Sequence, residues 1–347
     1  MSPVWHDFLI TQGAIVEDGI LLNFPGSNSK AADDIITDLS HLDIVEISGN
    51  EAEDFLHGQF TTNIKQLSNN HCQFSAWCNS KGQVKATFFI YRHEERFIIL
   101  LPAELKESFL KQLQMYILRA DVKLADKSDE FVRVGLQAND ATLFPDLIES
   151  HPEQQGEVMM DNDLHCLQLP LQGDASNAHR TILIGSLDRQ ISLWNELVKH
   201  ATPVGTAIWE LLDIQATYPW ITTQTTQKFL PQMLNLDLMD GLDYQKGCYP
   251  GHEIIARLHF RGQLKRSLYL ATCALESCPV SGDLLYANDD EQSVGTVINV
   301  QASQDKYYLL AVIENDSIDN TISLRGSDGT ELKLCQLPPA PVSHGKE

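Results

Sequence analysis

The sequence lacks the short motifs that indicate a nucleotide or metal site. It contains no Gly-x-Gly-x-x-Gly segment and no phosphate-binding loop of the Gly-x-x-x-x-Gly-Lys-Ser/Thr type, so nothing in it predicts a nucleotide cofactor. Its seven cysteines include no Cys-x-x-Cys pair, and no His/Cys cluster has zinc-site spacing. We therefore expect reduced thiols and no metal ligand.

Basic residues and long apolar runs are also scarce. The 347 residues include 25 Lys and Arg against 47 Asp and Glu, a formal net charge of -22. This charge opposes direct binding to nucleic acid. No stretch approaches the roughly 20 apolar residues that cross a bilayer. The segment 1–22 has acidic and polar residues where a secretory signal is basic and then apolar. The sequence therefore predicts a cytoplasmic protein with no membrane partner.

The chain length and the local patterns predict several domains. A chain of 347 residues exceeds one ordinary core, so two or three domains are expected. Strand-like and amphipathic runs mix without regular alternation up to about residue 262, which predicts α+β modules with antiparallel sheets covered by helices. Six short strand-like runs then predict an all-β barrel. The expected limits are 1–135 and 136–262 for two α+β parts of one core, 263–340 for the barrel and 341–347 for a loose tail.

The densest group of unusual residues is the run Lys-Gly-Cys-Tyr-Pro-Gly-His-Glu from Lys246 to Glu253. A thiolate is the reactive form of cysteine, and a nearby cation or helix amino terminus lowers the pKa of the thiol. Cys248 has Lys246 two residues before it, and a helix is predicted to begin at Gly251. We interpret Cys248 as a candidate reactive thiol whose reactivity Lys246 sets. The alternative is a small buried hydrophobic residue.

The helix predicted after this motif carries further candidates. Glu253 is interpreted as a general acid or base, or as a cap at the helix start. Arg257 falls one turn later on the same face, where it is placed to pair with Glu253. Positive charge gathers in this region, which is either an anion-binding rim or an ordinary solvated patch. The basic side chains are Arg257, His259, Arg261, Lys265 and Arg266.

The motif is one part of a longer pattern. The other segments are Ile255-Ala256-Arg257, Phe260-Arg261-Gly262, Phe229-Leu230-Pro231-Gln232, Asn235-Leu236-Asp237, the run from Leu56 to Thr62 and the run from Cys78 to Gly82. Through these segments, in order over most of its length, the chain resembles the YgfZ family of folate-binding relatives of the glycine-cleavage T-protein. The signature of that family is Lys-Gly-Cys-Tyr-x-Gly-Gln-Glu.

The resemblance implies a fold and a function. The expected fold class is α+β, a multidomain T-protein-like folate-binding core with a C-terminal all-β barrel. The implied cofactor is tetrahydrofolate or a one-carbon derivative, and the implied partners are iron-sulfur enzymes or their assembly proteins, with an indirect role in tRNA thiomethylation. One alternative is a folate-dependent aminomethyltransferase or demethylase in which Glu253 or Asp213 supplies the acid. Another is a structural protein in which Cys248 only packs.

The resemblance also carries over individual residues. Gln215 takes the place of a T-protein glutamate, and its amide can still bond a pterin edge without a charge. Thr87 stands near the position of the catalytic carboxylate, and a threonine cannot do acid-base work, so the T-protein reaction is not expected. His252 replaces the signature glutamine. The catalytic candidates are Cys248 and Lys246, and the implied folate-binding residues are Gln215, Thr87, Tyr249, Glu253, Arg257 and Asn235.

Overall fold

The computed structural model describes residues 2–25, 34–139, 156–161, 163–169, 179–274, 276, 278–288, 292–303, 305–324 and 329–335. Helices and strands are mixed throughout, which confirms the α+β class. The chain forms two compact units, each built from separated segments. One comprises Met1–Ala52, Leu67–Gln73 and Phe89–Trp209, and the other comprises Glu53–Gln66, Phe74–Phe88 and Glu210–Glu347. The domain limits drawn along the sequence stay a prediction, and the expected tail 341–347 lies outside the described residues.

The helices and strands are numbered in chain order. The α-helices are α1 (Pro3–Thr11), α2 (Ala52–His57), α3 (Ala103–Ile117), α4 (Leu187–Leu197), α5 (Thr206–Gln215) and α6 (His252–Arg261). The strands are β1 (Ile15–Glu17), β2 (Ile20–Asn23), β3 (Ile35–Asp38), β4 (Leu42–Ser48), β5 (Cys72–Cys78), β6 (Val84–His93), β7 (Arg96–Pro102), β8 (Lys123–Asp126), β9 (Val132–Ala138), β10 (Val158–Asp161), β11 (Leu164–Gln168), β12 (His179–Gly185), β13 (Thr202–Pro203), β14 (Arg266–Ala274), β15 (Leu284–Ala287), β16 (Ser293–Ala302), β17 (Lys306–Glu314), β18 (Ile322–Leu324) and β19 (Glu331–Leu334). In the part of the chain that the structure describes, no helix is long and apolar enough to span a bilayer.

The first unit contains a six-stranded sheet with the order β10-β11-β12-β9-β3-β13. Its pairs are antiparallel except β3 with β13, which run parallel. Helix α4 buries Leu193, Trp194 and Leu197, spaced so that all three lie on one side of the helix. The ring of Trp194 meets that of Trp5 from α1 edge to face at 5.6 Å. The two helices thus share one apolar core with the sheet.

Helix α3 covers strands β4 and β7 of the antiparallel five-stranded sheet, whose order is β5-β6-β7-β4-β8. The side chains of Leu105, Phe109, Leu113 and Ile117 are buried, and their spacing of four places them on one face of the helix. The strands beneath it are rich in buried apolar residues, as expected for a sheet packed against a helix.

The second unit ends in a closed barrel with the strand order β14-β17-β16-β15-β18-β19. Its pairs are antiparallel, and β14 pairs with β17 from Arg266 opposite Glu314 to Ala274 opposite Lys306. Alternate residues such as Leu309, Ala311 and Ile313 fill the interior, because side chains of a strand point to opposite faces in turn. The six-stranded barrel expected from the sequence is confirmed.

Candidate functional site

Helix α6 begins where the motif ends, and Gly251 caps it. Gly251 has a φ of +81°, in the left-handed region that favours glycine. A β-carbon at this position would lie 2.3 Å from the α-carbon of Gly82. Only a residue without a side chain permits such an approach, so Gly251 fixes the start of α6 against the turn between β5 and β6.

The turn that receives Gly251 is braced by Asn79. The side-chain oxygen of Asn79 accepts hydrogen bonds from the backbone N–H groups of Lys81 at 2.9 Å and Gln83 at 3.0 Å. Its amide nitrogen donates to the side-chain oxygens of Gln83 at 3.0 Å and Gln227 at 3.1 Å. An asparagine that bonds its own backbone two residues onward stabilises a tight turn. The run from Cys78 to Gly82 therefore supplies a fixed surface for the motif.

Lys246 anchors the other end of the motif. Its ammonium donates to the backbone oxygens of Phe60 at 2.5 Å and Thr62 at 2.7 Å, and lies 5.2 Å from the ring centre of Tyr249. Burial lowers the pKa of Lys246 to about 7, with Asp243 acting in the opposite direction. Two of the three donors of the charged group are thus used by carbonyl oxygens. Its effect on the thiol of Cys248 stays a prediction.

His57 completes this anchor from the opposite side. Its Nε2 lies 2.8 Å from the backbone oxygen of Lys246. Since a carbonyl oxygen can only accept, Nε2 carries the hydrogen. Burial, the first cause, lowers the pKa of His57, while the bond to Lys246 opposes that shift. The neutral imidazole with its hydrogen on Nε2 therefore suits this position.

The segments around residues 61 and 243 are also joined directly. The hydroxyl of Thr61 donates to the backbone oxygen of Gly241 at 2.7 Å, and the backbone N–H of Asp243 donates to the oxygen of Thr61 at 2.9 Å. The amide of Asn63 donates to the carboxylate of Asp243 at 3.2 Å. The run from Leu56 to Thr62, noticed in the sequence only as part of a family pattern, is thus the support of the motif.

Cys248 is exposed between these anchors. Its neighbour Gly247 has a φ of +109° with open space around its α-carbon, and the next side chain, Tyr249, turns inward. Within the described ranges, the sulfur of Cys248 makes no hydrogen bond. Four other thiols are buried, those of Cys72, Cys78, Cys166 and Cys273. The alternative of a buried structural residue therefore does not hold for Cys248.

Tyr249 and His252 follow Cys248 in the motif, and their rings contact each other. Tyr249 is only 6% exposed, and its hydroxyl is buried without a hydrogen-bond partner among the described residues. Burial raises the pKa of this phenol. The ring of His252 lies 4.9 Å from that of Tyr249, and its Nε2 is 3.4 Å from the backbone oxygen of Tyr244. The imidazole in place of the signature glutamine thus donates a long hydrogen bond to the protein itself.

Comparison with known proteins gives this arrangement a context. The family described as the GCVT N-terminal domain matches residues 31–142. The tRNA-modifying protein YgfZ of Photobacterium profundum is 26% identical over 299 residues, which cover 85% of this chain and 87% of that protein. The tRNA-modifying protein YgfZ of Serratia proteamaculans is 27% identical over 308 residues, covering 88% and 91%. The chain is thus similar to YgfZ proteins over most of its length.

The structural comparison supports the same relationship at the level of the fold. The glycine cleavage system aminomethyltransferase T from Bartonella henselae superposes with a TM-score of 0.78, at 16% identity, covering 97% of each chain. The T-protein-like fold class inferred from the sequence is confirmed. The motif from Lys246 to Glu253 therefore lies in a T-protein-like fold.

Two of the implied folate-binding residues, Thr87 and Asn235, make hydrogen bonds within the protein. The buried hydroxyl of Thr87 donates to the backbone oxygen of Pro219 at 2.9 Å and accepts from the N–H of Ile221 at 3.0 Å. The amide of Asn235 donates to the oxygen of Leu268 at 3.0 Å and accepts from its N–H at 3.3 Å. Both side chains position neighbouring segments, and their contact with a folate stays a prediction.

The remaining implied residues have free or exposed side chains. Gln215 ends α5 half-buried, and its amide makes no hydrogen bond with the residues that the structure describes. Glu253 and Arg257 are exposed on the outer face of α6. Asp213, the other candidate acid, is buried and accepts a hydrogen bond from the indole of Trp220 at 2.9 Å.

The basic segment after the motif is partly neutralised. Arg266 pairs with Glu314 at 2.7 Å, whereas Arg257 and Arg261 are exposed and make no ion pair within the described part of the chain. Phe260, between them, is 68% exposed. The exposed surface of α6 therefore combines positive charge with two large apolar side chains, those of Ile254 and Phe260.

Proposed function

We propose that the chain is a cytoplasmic, tetrahydrofolate-binding accessory protein that supports the assembly or repair of iron-sulfur enzymes. Its effect on tRNA modification is indirect, through such an enzyme. The observation that carries the proposal is the exposed thiol of Cys248 on a loop fixed at Lys246 and Gly251. The similarity to proteins named as tRNA-modifying supports a role in tRNA modification. The net charge of -22 supports an indirect role, without direct tRNA binding.

The anchoring of the loop bears on what the thiol does. A mobile cysteine spreads its sulfur over many positions, whereas a fixed one meets a partner's reacting atom in one geometry. This loop is restricted by the hydrogen bonds of Lys246 and His57 and by the close packing of Gly251. An accessible thiolate is a nucleophile and a soft metal ligand. Both properties suit a role towards iron-sulfur enzymes, whose clusters are held by thiolates.

The residues also fit a reduced folate. A pterin ring presents hydrogen-bond donors and acceptors along one edge, and a buried polar group without a partner costs free energy unless a ligand or water satisfies it. Among the described residues, the hydroxyl of Tyr249 is such a group, and the amide of Gln215 makes no hydrogen bond there. Arg257 suits a ligand carboxylate. When bound, tetrahydrofolate supplies a one-carbon carrier, and Tyr249, Gln215 and Arg257 would hold it.

The aminomethyltransferase alternative has less support. That chemistry needs an acid-base group, and the position near the T-protein carboxylate is held by Thr87, whose hydroxyl is used by Pro219 and Ile221. One oxygen of Asp213 is used by Trp220. Glu253 is an acid on an exposed helix face. We therefore favour the accessory role.

Isothermal titration with tetrahydrofolate and its 5-formyl derivative tests the folate part. We expect binding by the full chain, and binding at least tenfold weaker in Tyr249→Phe and Gln215→Ala. Tyr286→Phe, in the barrel strand β15, is the matched control and keeps the affinity. Folded protein that binds neither folate at millimolar concentration contradicts the proposal, as does equal affinity in Tyr249→Phe, Gln215→Ala and the original chain.

A further inference from the structure

Two imidazoles and a thioether meet in the first unit, away from the motif. They belong to His93 at the end of β6, Met160 in β10 and His165 in β11. Nδ1 of His93 lies 2.7 Å from the sulfur of Met160. The ring centres of His93 and His165 are 4.6 Å apart. Three side chains with lone pairs on nitrogen or sulfur therefore converge on one small volume.

The strand register explains the convergence. Met160 and His165 are directly opposite in the antiparallel pair of β10 and β11, so their side chains project from the same face. Tyr91 and His93 are two residues apart on β6, and they share a face for the same reason. The hydroxyl of Tyr91 lies 2.7 Å from Nδ1 of His165. The backbone thus holds the group together without help from loops.

The contact with Tyr91 bears on which nitrogen of His165 is open to a ligand. A neutral imidazole has one nitrogen with a free lone pair. If Nδ1–H donates to the oxygen of Tyr91, the lone pair is on Nε2, and a donor bond of this type is what orients histidine ligands in metal sites.

We propose that His93, Met160 and His165 form a binding site for a soft monovalent cation of the copper(I) type. The thioether of Met160 is a soft ligand that selects such ions, and imidazole suits copper among other metals, whereas hard cations need oxygen ligands. No group of three or more His, Cys, Asp or Glu side chains is placed to hold a metal in the described chain, and here the third donor is a methionine sulfur. The site is independent of the folate and Cys248 proposals.

The geometry needs only a small adjustment to accept the ion. Metal–nitrogen and metal–sulfur bonds of roughly 2.0 and 2.3 Å would hold the two donor atoms about 3.5 Å apart, compared with 2.7 Å between His93 and Met160. Methionine has three rotatable bonds and adapts easily. His165 is 6% exposed, while His93 and Met160 are half-buried, so the ion would enter past His93 and Met160.

Silver(I), a redox-inert probe for copper(I), tests the site by nuclear magnetic resonance. The full chain is labelled at the methyl carbons of its six methionines, in a Cys248→Ser, Cys278→Ser, Cys335→Ser background, because accessible thiols also bind silver. We expect the Met160 signal, assigned from Met160→Leu, to shift and saturate near one equivalent. The shift should need at least tenfold more silver in His93→Gln and His165→Asn.

The silver titration has a methionine control and three results that would overturn the proposal. Met115→Leu, an exposed methionine on α3, should leave the Met160 response unchanged. A Met160 signal that stays still at five equivalents of silver overturns the site, and so does a shift that is the same in His93→Gln and His165→Asn as in the parent. Equal occupancy by zinc(II) at the same concentration overturns the assignment to soft cations.

Discussion

At the residue scale, Lys246 has a structural role that its sequence interpretation did not include. The spacing in the motif predicted a cation beside the thiol of Cys248. In the structure its ammonium donates to the oxygens of Phe60 and Thr62, which ties the loop to another part of the second unit. Burial lowers the pKa of this lysine, and the carboxylate of Asp243 opposes that shift only in part.

Replacing Lys246 by methionine should destabilise the protein. The change leaves the carbonyl oxygens of Phe60 and Thr62 without their donor, and an unsatisfied buried acceptor costs about 1–3 kcal/mol. Urea unfolding of Lys246→Met should therefore show a lower midpoint than the original chain. Lys265→Met, outside the motif, is the control and should unfold like the original chain. An unchanged midpoint in Lys246→Met would show that the hydrogen bonds of Lys246 to Phe60 and Thr62 do not stabilise the fold.

The same group predicts a pH dependence. In the folded state the pKa of Lys246 is lowered from 10.5 to about 7, so between these values the unfolded chain binds the extra proton. Stability rises with pH wherever the unfolded state binds more protons. The unfolding free energy of the original chain should therefore rise relative to Lys246→Met from pH 7 to pH 10. A flat or falling difference in denaturant titrations contradicts the lowered pKa.

At the scale of elements, the start of α6 depends on the contact between Gly251 and Gly82. A β-carbon at residue 251 would lie 2.3 Å from the α-carbon of Gly82. The φ of +81° would also strain any residue other than glycine at this position. Gly247 is the matched control, because its φ is also positive, at +109°, but nothing lies near it. Substitution at either position introduces backbone strain, but only substitution at Gly251 also introduces a steric clash, so comparing the two separates these effects.

Gly251→Ala should therefore lower the melting temperature more than Gly247→Ala. Left-handed backbone costs a non-glycine residue roughly 1–2 kcal/mol, which both variants share, and only Gly251→Ala adds a steric clash. Calorimetry of the two variants beside the original chain gives the comparison. Equal melting temperatures for the two variants would mean that the turn yields to the new methyl group.

The elements themselves could largely be predicted from the sequence. The barrel strands show short apolar runs between turns, and α3 and α6 have helical spacing, because local periodicity reflects which face is buried. The long-range contacts of the site could not be predicted from the sequence. His57 and Lys246 are 189 positions apart, and the meeting of His93 with Met160 depends on which strands are neighbours. Spacing within one segment carries no information about such pairs.

At the scale of the whole molecule, surface charge limits the partners. The net charge of -22 opposes an extended phosphate backbone, while the exposed Arg257 and Arg261 on α6 give one region of opposite sign. A protein or small-molecule partner meets such a local region without the repulsion that a long polyanion meets elsewhere. This favours an accessory protein that acts on an enzyme over one that handles tRNA itself.

Rescue by Cys248→Ser is the most direct test of the central claim, that the exposed thiol carries the function. The variant is expressed in a bacterial strain without its own YgfZ protein, and thiomethylated tRNA nucleosides are measured by mass spectrometry. We expect the original chain to restore thiomethylation. The control Cys278→Ser, which alters another exposed thiol, should restore it as well. Cys248→Ser should fail to do so with an unchanged melting temperature, since exposed substitutions rarely alter stability. Full rescue by Cys248→Ser would contradict the account.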